Sequence, residues 1–222
     1  IITTHPIQYQ IPLFRDLKKK KIDVHVFFAS KHGLNLKEKD PEFLIKIKWN
    51  INSNLLKEYK SYFSSKQKFK INDFRLSFNE IGKYLKYGNF DAVLILGWGN
   101  LHYLKATYFA LKNNIKIILR AENNLNAKST LLKKILKYIV LKNFFKKFSY
   151  FLKIEKLNRK FYIHYGVEKK KILSAPYFVD NSFFHIKKNK IKLKKNLNFK
   201  HKKIVLFVGK LIYRKRPIDF LK

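Results

Sequence analysis

The 222-residue chain contains no cysteine, so disulfides and thiolate metal sites are excluded outright. It contains no methionine either, not even at position 1. A chain that opens on Ile1-Ile2-Thr3-Thr4 is therefore expected to have lost its start, and one that stops six residues into a helix beginning at Pro217 to have lost its end. Acidic residues are scarce, 14 against 50 basic ones, which leaves a formal net charge of +36. Arginine is scarce as well: only Arg15, Arg75, Arg120, Arg159, Arg214 and Arg216 among those 50. The lysines are scattered rather than gathered in one tail, and Lys, Asn, Ile, Phe and Tyr are abundant together, which is the mark of a coding bias toward A and T. Dedicated nucleic-acid binders concentrate Arg and Lys on one element and read base edges with Arg. No specific nucleic-acid partner is expected. No run approaches 18 apolar residues, and no charged-then-apolar leader precedes a small-residue cleavage site, so neither a membrane span nor export is expected from this portion.

What the chain does have is a core. Hydrophobic residues make up 46%, with 2 Trp, 13 Tyr and 21 Phe, which excludes a disordered composition. Residues 1–4 read as the tail of a first strand and His5-Pro6-Ile7 as the turn after it. Ile11, Leu13, Phe14 and Leu17 predict a helix that tolerates Pro12 only in its first turn and ends in the lysines of 18–21. A second strand is expected at 22–29, then a connection at 30–54 long enough to be a binding loop rather than a spacer. A more polar helical region leads to a buried strand at 91–96, closed by Gly97-Trp98-Gly99-Asn100. A helix at 101–112, strands at 115–119 and 150–154, and a helical segment through Leu157 and Phe161 follow. Strands alternating with helices at this spacing predict an α/β fold, a doubly wound, Rossmann-like parallel sheet, in residues 1–185.

Ligands of such sheets sit beyond the carboxyl ends of the strands. Those ends carry His5 and Gln8, the loop with Trp49, Trp98 with Asn100 and His102, and Arg120 with Glu122. Each fits two readings. His5 is a turn-capping residue or a substrate contact; Glu122 is a helix N-terminal carboxylate paired with Arg120 or a catalytic group; Trp98 is packing at a strand end or a platform for an acceptor.

After a charged linker at 186–203 comes IVLFVGKLIYRK at 204–215, an apolar run, one glycine and a basic turn. Ile204, Val205, Leu206, Phe207 and Val208 predict a parallel strand buried on both faces, which would begin a second domain at 204–222. Gly209 ends it. Lys210, Arg214, Lys215 and Arg216 then precede a Pro217-led helix start. Free backbone N–H groups, a positive dipole end and cations at one point suit a diphosphate, though a solvated basic turn has the same sequence.

Several stretches together resemble family 4 glycosyltransferases, which have the two-domain GT-B fold: THPIQYQIPLFRDL at 3–17, WNINSNLLKEY at 49–59, FDAVLILGWGN at 90–100, ILRAEN at 118–123, YGV, KIL and PYFVDNSFF within 165–184, and FVGKL with RK within 207–215. The resemblance covers nearly the whole chain: the N-terminal half and the first strand of the C-terminal half. It implies transfer of a sugar from a nucleotide-sugar donor to a cell-envelope glycan or lipid-linked acceptor, usually with retention, in the cytoplasm or at the inner face of the plasma membrane, with no cofactor and no essential metal. It implies that Lys210 and Lys215, after Gly209, contact the donor diphosphate; by their places at strand ends Gln8, Trp49, Trp98 and Asn100 are the acceptor-side candidates and Arg120, Glu122 and His5 the catalytic ones. Lys210 stands where the family usually has Arg, which keeps the charge and loses the bidentate fork. Arg216 replaces a frequent Gly, Arg120-Ala121-Glu122 stands where many relatives have a His, Asn50 and Glu58 stand where close relatives often have Asp and Gly, and Glu155 stands where a Gly is usual. A sugar-nucleotide epimerase or other GT-B enzyme, and a basic module for membrane or nucleic acid, are the rival readings. Residues 1–222 alone are expected to fold in the first domain and not to catalyse transfer.

The segment 131–148 carries two conflicting patterns. Leu131, Leu132, Ile135, Leu136, Tyr138 and Ile139 share a helical face opposite Lys133, Lys134 and Lys137; from Val140 onward Leu141, Phe144, Phe145 and Phe148 point where those lysines pointed. Either the helix breaks near Val140, or its second half faces something other than the core, such as an anionic membrane met by Lys142, Lys146 and Lys147.

Overall fold

The computed structural model describes residues 1–34, 46, 55–65, 70, 73–126, 129–177, 179, 181, 194–199, 203–209 and 211–221. The chain divides into two compact units, Ile1–Leu34 with Trp49–Phe178, and Asn35–Lys48 with Val179–Lys222. The first unit holds a seven-stranded sheet in which every pairing is parallel: β1 (Ile2–Thr3), β2 (His25–Phe28), β3 (Lys60–Phe63), β4 (Ala92–Ile95), β5 (Lys116–Arg120), β6 (Tyr150–Lys153) and β7 (Ile172–Ser174), in the order β3-β2-β1-β4-β5-β6-β7. The order reverses at β1, which lies between β2 and β4, and in a doubly wound sheet that is where a crevice opens. The architecture is α/β and Rossmann-like.

Among the described residues five α-helices connect these strands: α1 (Ile11–Lys19), α2 (Ile81–Tyr87), α3 (Leu101–Lys112), α4 (Leu131–Phe145) and α5 (Lys156–His164). Pro12 sits in the first turn of α1, where a missing N–H leaves no bond unmade, and Lys18 and Lys19 close the helix at its negative end. Alternation along the strands separates two cores. Val26 and Phe28 of β2 pack with Ile11 and Phe14 of α1. Ile2, Phe27, Val93, Ile95, Ile117, Leu119 and Phe151 turn to the other face, under residues of α2, α3, α4 and α5. A period of 2 in the strands thus covers both faces of one sheet.

His102, placed by its sequence among the candidate site groups, is instead a fully buried bolt. Its Nε2 lies 3.1 Å from the Thr3 carbonyl and 3.4 Å from that of Phe27, and its Nδ1 accepts from the Phe78 amide at 3.4 Å. The ring therefore joins β1, β2 and the segment before α2 as a neutral imidazole, and burial lowers its pKa from 6.5 to about 4. The unfolded chain then binds the extra proton between about pH 6.5 and pH 4, so this group's contribution is intact above pH 6.5 and falls with acidification. Chemical denaturation at pH 7 and pH 5 should show the wild type losing about 2 kcal/mol more than His102→Gln over that interval. Equal slopes would remove His102 as the acid-labile bolt.

Three expectations are corrected. The polar stretch before residue 91 is not helical throughout, because Lys60–Phe63 forms β3 beside β2 with His25 opposite Lys60 and Phe28 opposite Phe63. α4 does not break near Val140: it runs unbroken from Leu131 to Phe145, and its second half is the part that enters the core, with Leu141, Phe145 and the following Phe148 at 2–3% exposure. The turned-over face of α4 is therefore buried packing and no membrane patch. Finally, 204–208 pairs with no strand among the described residues, and Val205, Leu206 and Val208 are largely exposed. With no neighbour for its backbone groups, an apolar run has neither ladder nor covering layer.

Candidate functional site

A cleft of about 350 Å³ opens beyond the carboxyl ends of β4, β5 and β6 and beside the start of α1. Leu96, Gly97, Trp98 and Gly99 follow β4; Arg120 ends β5, with Ala121, Glu122 and Asn123 after it; Ile154 follows β6; Gln10 and Tyr103 come from α1's N-terminal turn and α3.

Arg120 governs its electrostatics. It is 7% exposed, and its described partners are carbonyls and a ring: Nη2 lies 3.4 and 3.5 Å from the carbonyl oxygens of Ala175 and Pro176, and the guanidinium carbon lies 4.8 Å from the Tyr177 ring. Desolvation lowers its pKa, against the attraction of Tyr9 and Glu122, yet an arginine keeps its proton at any physiological pH. Among the described residues its hydrogen bonds are two long ones to neutral carbonyls, which compensate a buried cation incompletely, and an anion in the cleft would complete it. Glu122, two residues on, is exposed. Tyr9 meets Tyr177 edge to face at 5.4 Å, and burial, then the Glu122 carboxylate, raise its hydroxyl pKa.

The strand-end segment that carries Arg120 and Glu122 is clamped from α5. Asn158 donates from Nδ2 to the carbonyls of Ala121 (2.8 Å) and Asn123 (3.0 Å) and accepts from the Ile154 amide at 3.0 Å. The Tyr162 hydroxyl accepts from the Ala121 amide at 3.1 Å and donates to the Ala121 carbonyl at 3.2 Å. Across the cleft, Trp98 donates from Nε1 to Asn123 Oδ1 at 2.7 Å while its ring packs on the core. Gly97 makes the turn: its φ is +150°, and a Cβ there would stand 2.7 Å from the Tyr103 ring. Burial pushes the Tyr103 hydroxyl up to about 12, against hydrogen bonds to Thr4 and Thr3 that lower it.

Of the residues singled out by sequence, the structure brings Trp98, Arg120 and Glu122 together in this cleft. Asn100 is adjacent but occupied: its Oδ1 accepts from the Tyr103 amide at 3.3 Å as the N-cap of α3. Gln8 is exposed and does not line the cleft. His5 does not line it either; its Nδ1 lies 2.9 Å from the Thr4 hydroxyl and its ring stands edge-on to His32 at 5.4 Å. Trp49 and Lys210 lie outside the described residues. In the second unit Gly209 is exposed, and Lys215 is exposed at the end of the turn Tyr213–Lys215. Arg216, φ +53°, pairs with Asp219 at the start of the short helix Pro217–Phe220.

Sequence reasoning missed Gln10, Asn158 and Tyr162. Gln10 is 6% exposed, and its Oε1 has no hydrogen-bond partner among the described residues, so a donor from a ligand would satisfy it. Asn158 and Tyr162, four apart on the buried face of α5, did carry a signal, because a polar pair at helical spacing among Phe161 and Tyr165 must find partners. Compared with protein-family models and with curated proteins, the chain matches none.

Proposed function

We propose that the chain is the acceptor-side part of a GT-B glycosyltransferase that moves a sugar from a nucleotide-sugar donor to a cell-envelope glycan or lipid-linked acceptor. The observation that carries the reading is Arg120: a buried guanidinium without a described carboxylate partner, in a crevice at the carboxyl edge of a doubly wound sheet, two residues from an exposed carboxylate. The ordered motifs from residue 3 to residue 215 add the kind of substrate.

In this reading the bond between the sugar's anomeric carbon and the diphosphate oxygen breaks as the acceptor oxygen bonds to that carbon. The leaving diphosphate gains negative charge, and fixed cations stabilise it more in the transition state than in the bound donor; Arg120 is such a cation in the first unit, and the resemblance gives Lys210 and Lys215 the same role. Glu122 takes the proton of the acceptor hydroxyl, Gln10 accepts a hydrogen bond from a sugar hydroxyl, and Trp98 gives an apolar wall for a sugar ring.

Calorimetric titration of the natural protein with nucleoside diphosphates tests this. Arg120→Met and Lys215→Ala should each weaken the best of them about tenfold, since each substitution removes one charge-assisted hydrogen bond to the diphosphate. Unchanged affinity in both variants would contradict the assignment.

A further inference from the structure

A second hollow, of about 610 Å³, lies between the N-terminal part of α4, the C-terminal end of α5 and the segment that runs on from β5. Lys133, Lys134 and Lys137 of α4 line it, with His164 of α5. Among the described residues no carboxylate does, and the sequence has no Asp or Glu between Glu122 and Glu155. Lys137 is half-buried and makes no hydrogen bond or ion pair among the described residues; its Nζ lies 5.6 Å from the Phe161 ring centre and 5.9 Å from that of Trp98. Two rings attract an ammonium but give its three N–H groups no strong acceptor, so this cation is left with bonds to make. The remaining lining is mixed: Leu125, Ile135 and Tyr138 give apolar surface, while Asn124 and Ser129 give short polar groups.

We propose that this hollow binds a small phosphate ester, its phosphate on Lys137 with Lys133 and Lys134, and its polyol body among Leu125, Tyr138 and Asn124. A phosphate carries nearly two negative charges and three acceptor oxygens, which matches ammonium groups gathered without a counterion. The space exceeds what a bare phosphate fills and falls in the range of about 300–1,000 Å³ usual for small organic ligands, so the anion comes with an organic body. The site is distinct from the cleft yet shares a wall with it. Trp98 and Asn123 line the cleft, whereas Lys137 and Asn124 line the hollow, so an occupant that draws Lys137 from the Trp98 ring is felt on the cleft side. The proposal does not depend on the transfer reaction.

Calorimetric titration of the full chain with glucose 6-phosphate, ribose 5-phosphate and glycerol 3-phosphate, beside inorganic phosphate and glucose, tests it. At least one ester should bind saturably, at least about tenfold more tightly than inorganic phosphate or glucose. Lys137→Met keeps an unbranched side chain over the two rings, and Lys133→Gln with Lys134→Gln alters exposed positions; each variant should weaken that ester at least about tenfold with melting unchanged. Arg120→Met, in the cleft, should bind it as the wild type does. In Trp49→Phe, where Trp98 is the one indole left, the ester should shift the emission saturably, and adding Lys137→Met should abolish the shift. The proposal fails if no ester binds, or if inorganic phosphate binds as tightly as every ester, for then the net charge of the chain gathers any anion. It fails equally if Arg120→Met loses the ester while Lys137→Met keeps it, for then the cleft is the site, or if the bound ester leaves the Trp98 emission unchanged.

Discussion

Glu122→Gln in the natural protein should lower kcat for sugar transfer by about 10²–10³-fold while donor KM and melting temperature stay near wild type. The side chain is exposed at the rim of the cleft and makes no hydrogen bond or ion pair among the described residues, so the loss of its charge is felt in chemistry rather than in stability. Glutamine keeps the shape and the hydrogen-bonding oxygen but cannot accept a proton, which isolates the basic role from simple positioning. The steady-state kinetics should therefore fall in kcat and in kcat/KM together. A kcat within threefold of wild type would remove Glu122 from the reaction.

Asn158→Ala should destabilise the first unit by about 3 kcal/mol, because one truncation strips partners from two carbonyls and one amide in a 2% exposed site. For a unit of this size that is a drop in Tm of about 6–12 °C. Tyr162→Phe, which removes a single hydroxyl bonded to both polar groups of Ala121, should cost about half as much. Differential scanning calorimetry reads both. If Asn158→Ala melts with the wild type, the clamp on the segment carrying Arg120 and Glu122 is not structural.

The parts of the fold that could be read from sequence are those in which local pattern and burial agree. Residues 92–95 and 117–119 are apolar runs closed by polar or glycine residues, and they lie in central strands with neighbours on both sides. The helix expected at 101–112 matches α3 because Asn100 supplies its N-cap and Asn113 follows its end. β3 escaped because Lys60–Phe63 is a half-exposed edge strand with one charged, one small and two aromatic residues, which no run of apolar residues announces. α4 misled for a different reason. Periodicity shows that a helix has two apolar faces but not which one the sheet covers, and here the shorter one, at Leu141 and Phe145, is the buried one.

The cleft was readable to the same degree. Arg120, Glu122 and Trp98 follow strands whose carboxyl ends were recognisable, so topology placed them. His102 and Asn100 come from the same kind of position, yet their side chains turn to carbonyls and amides of the fold. Only hydrogen bonds to groups 75 and 99 residues away in sequence separate a structural histidine from a reactive one. Gln10 lies outside any pattern, because an unpartnered amide oxygen shows only once the groups around it are placed.

The central claim is that this cleft serves sugar transfer, and the most direct measurement follows a radiolabelled sugar. The natural protein is incubated with common nucleotide-sugar donors and a crude pool of glycan and lipid-linked acceptors, and labelled product is separated from donor. The account predicts a glycosylated product formed with one nucleoside diphosphate released per sugar transferred, abolished in Arg120→Met and strongly reduced in Glu122→Gln. Transfer that proceeds at wild-type rate in both variants, or donors left intact by the wild type across the whole panel, would contradict it.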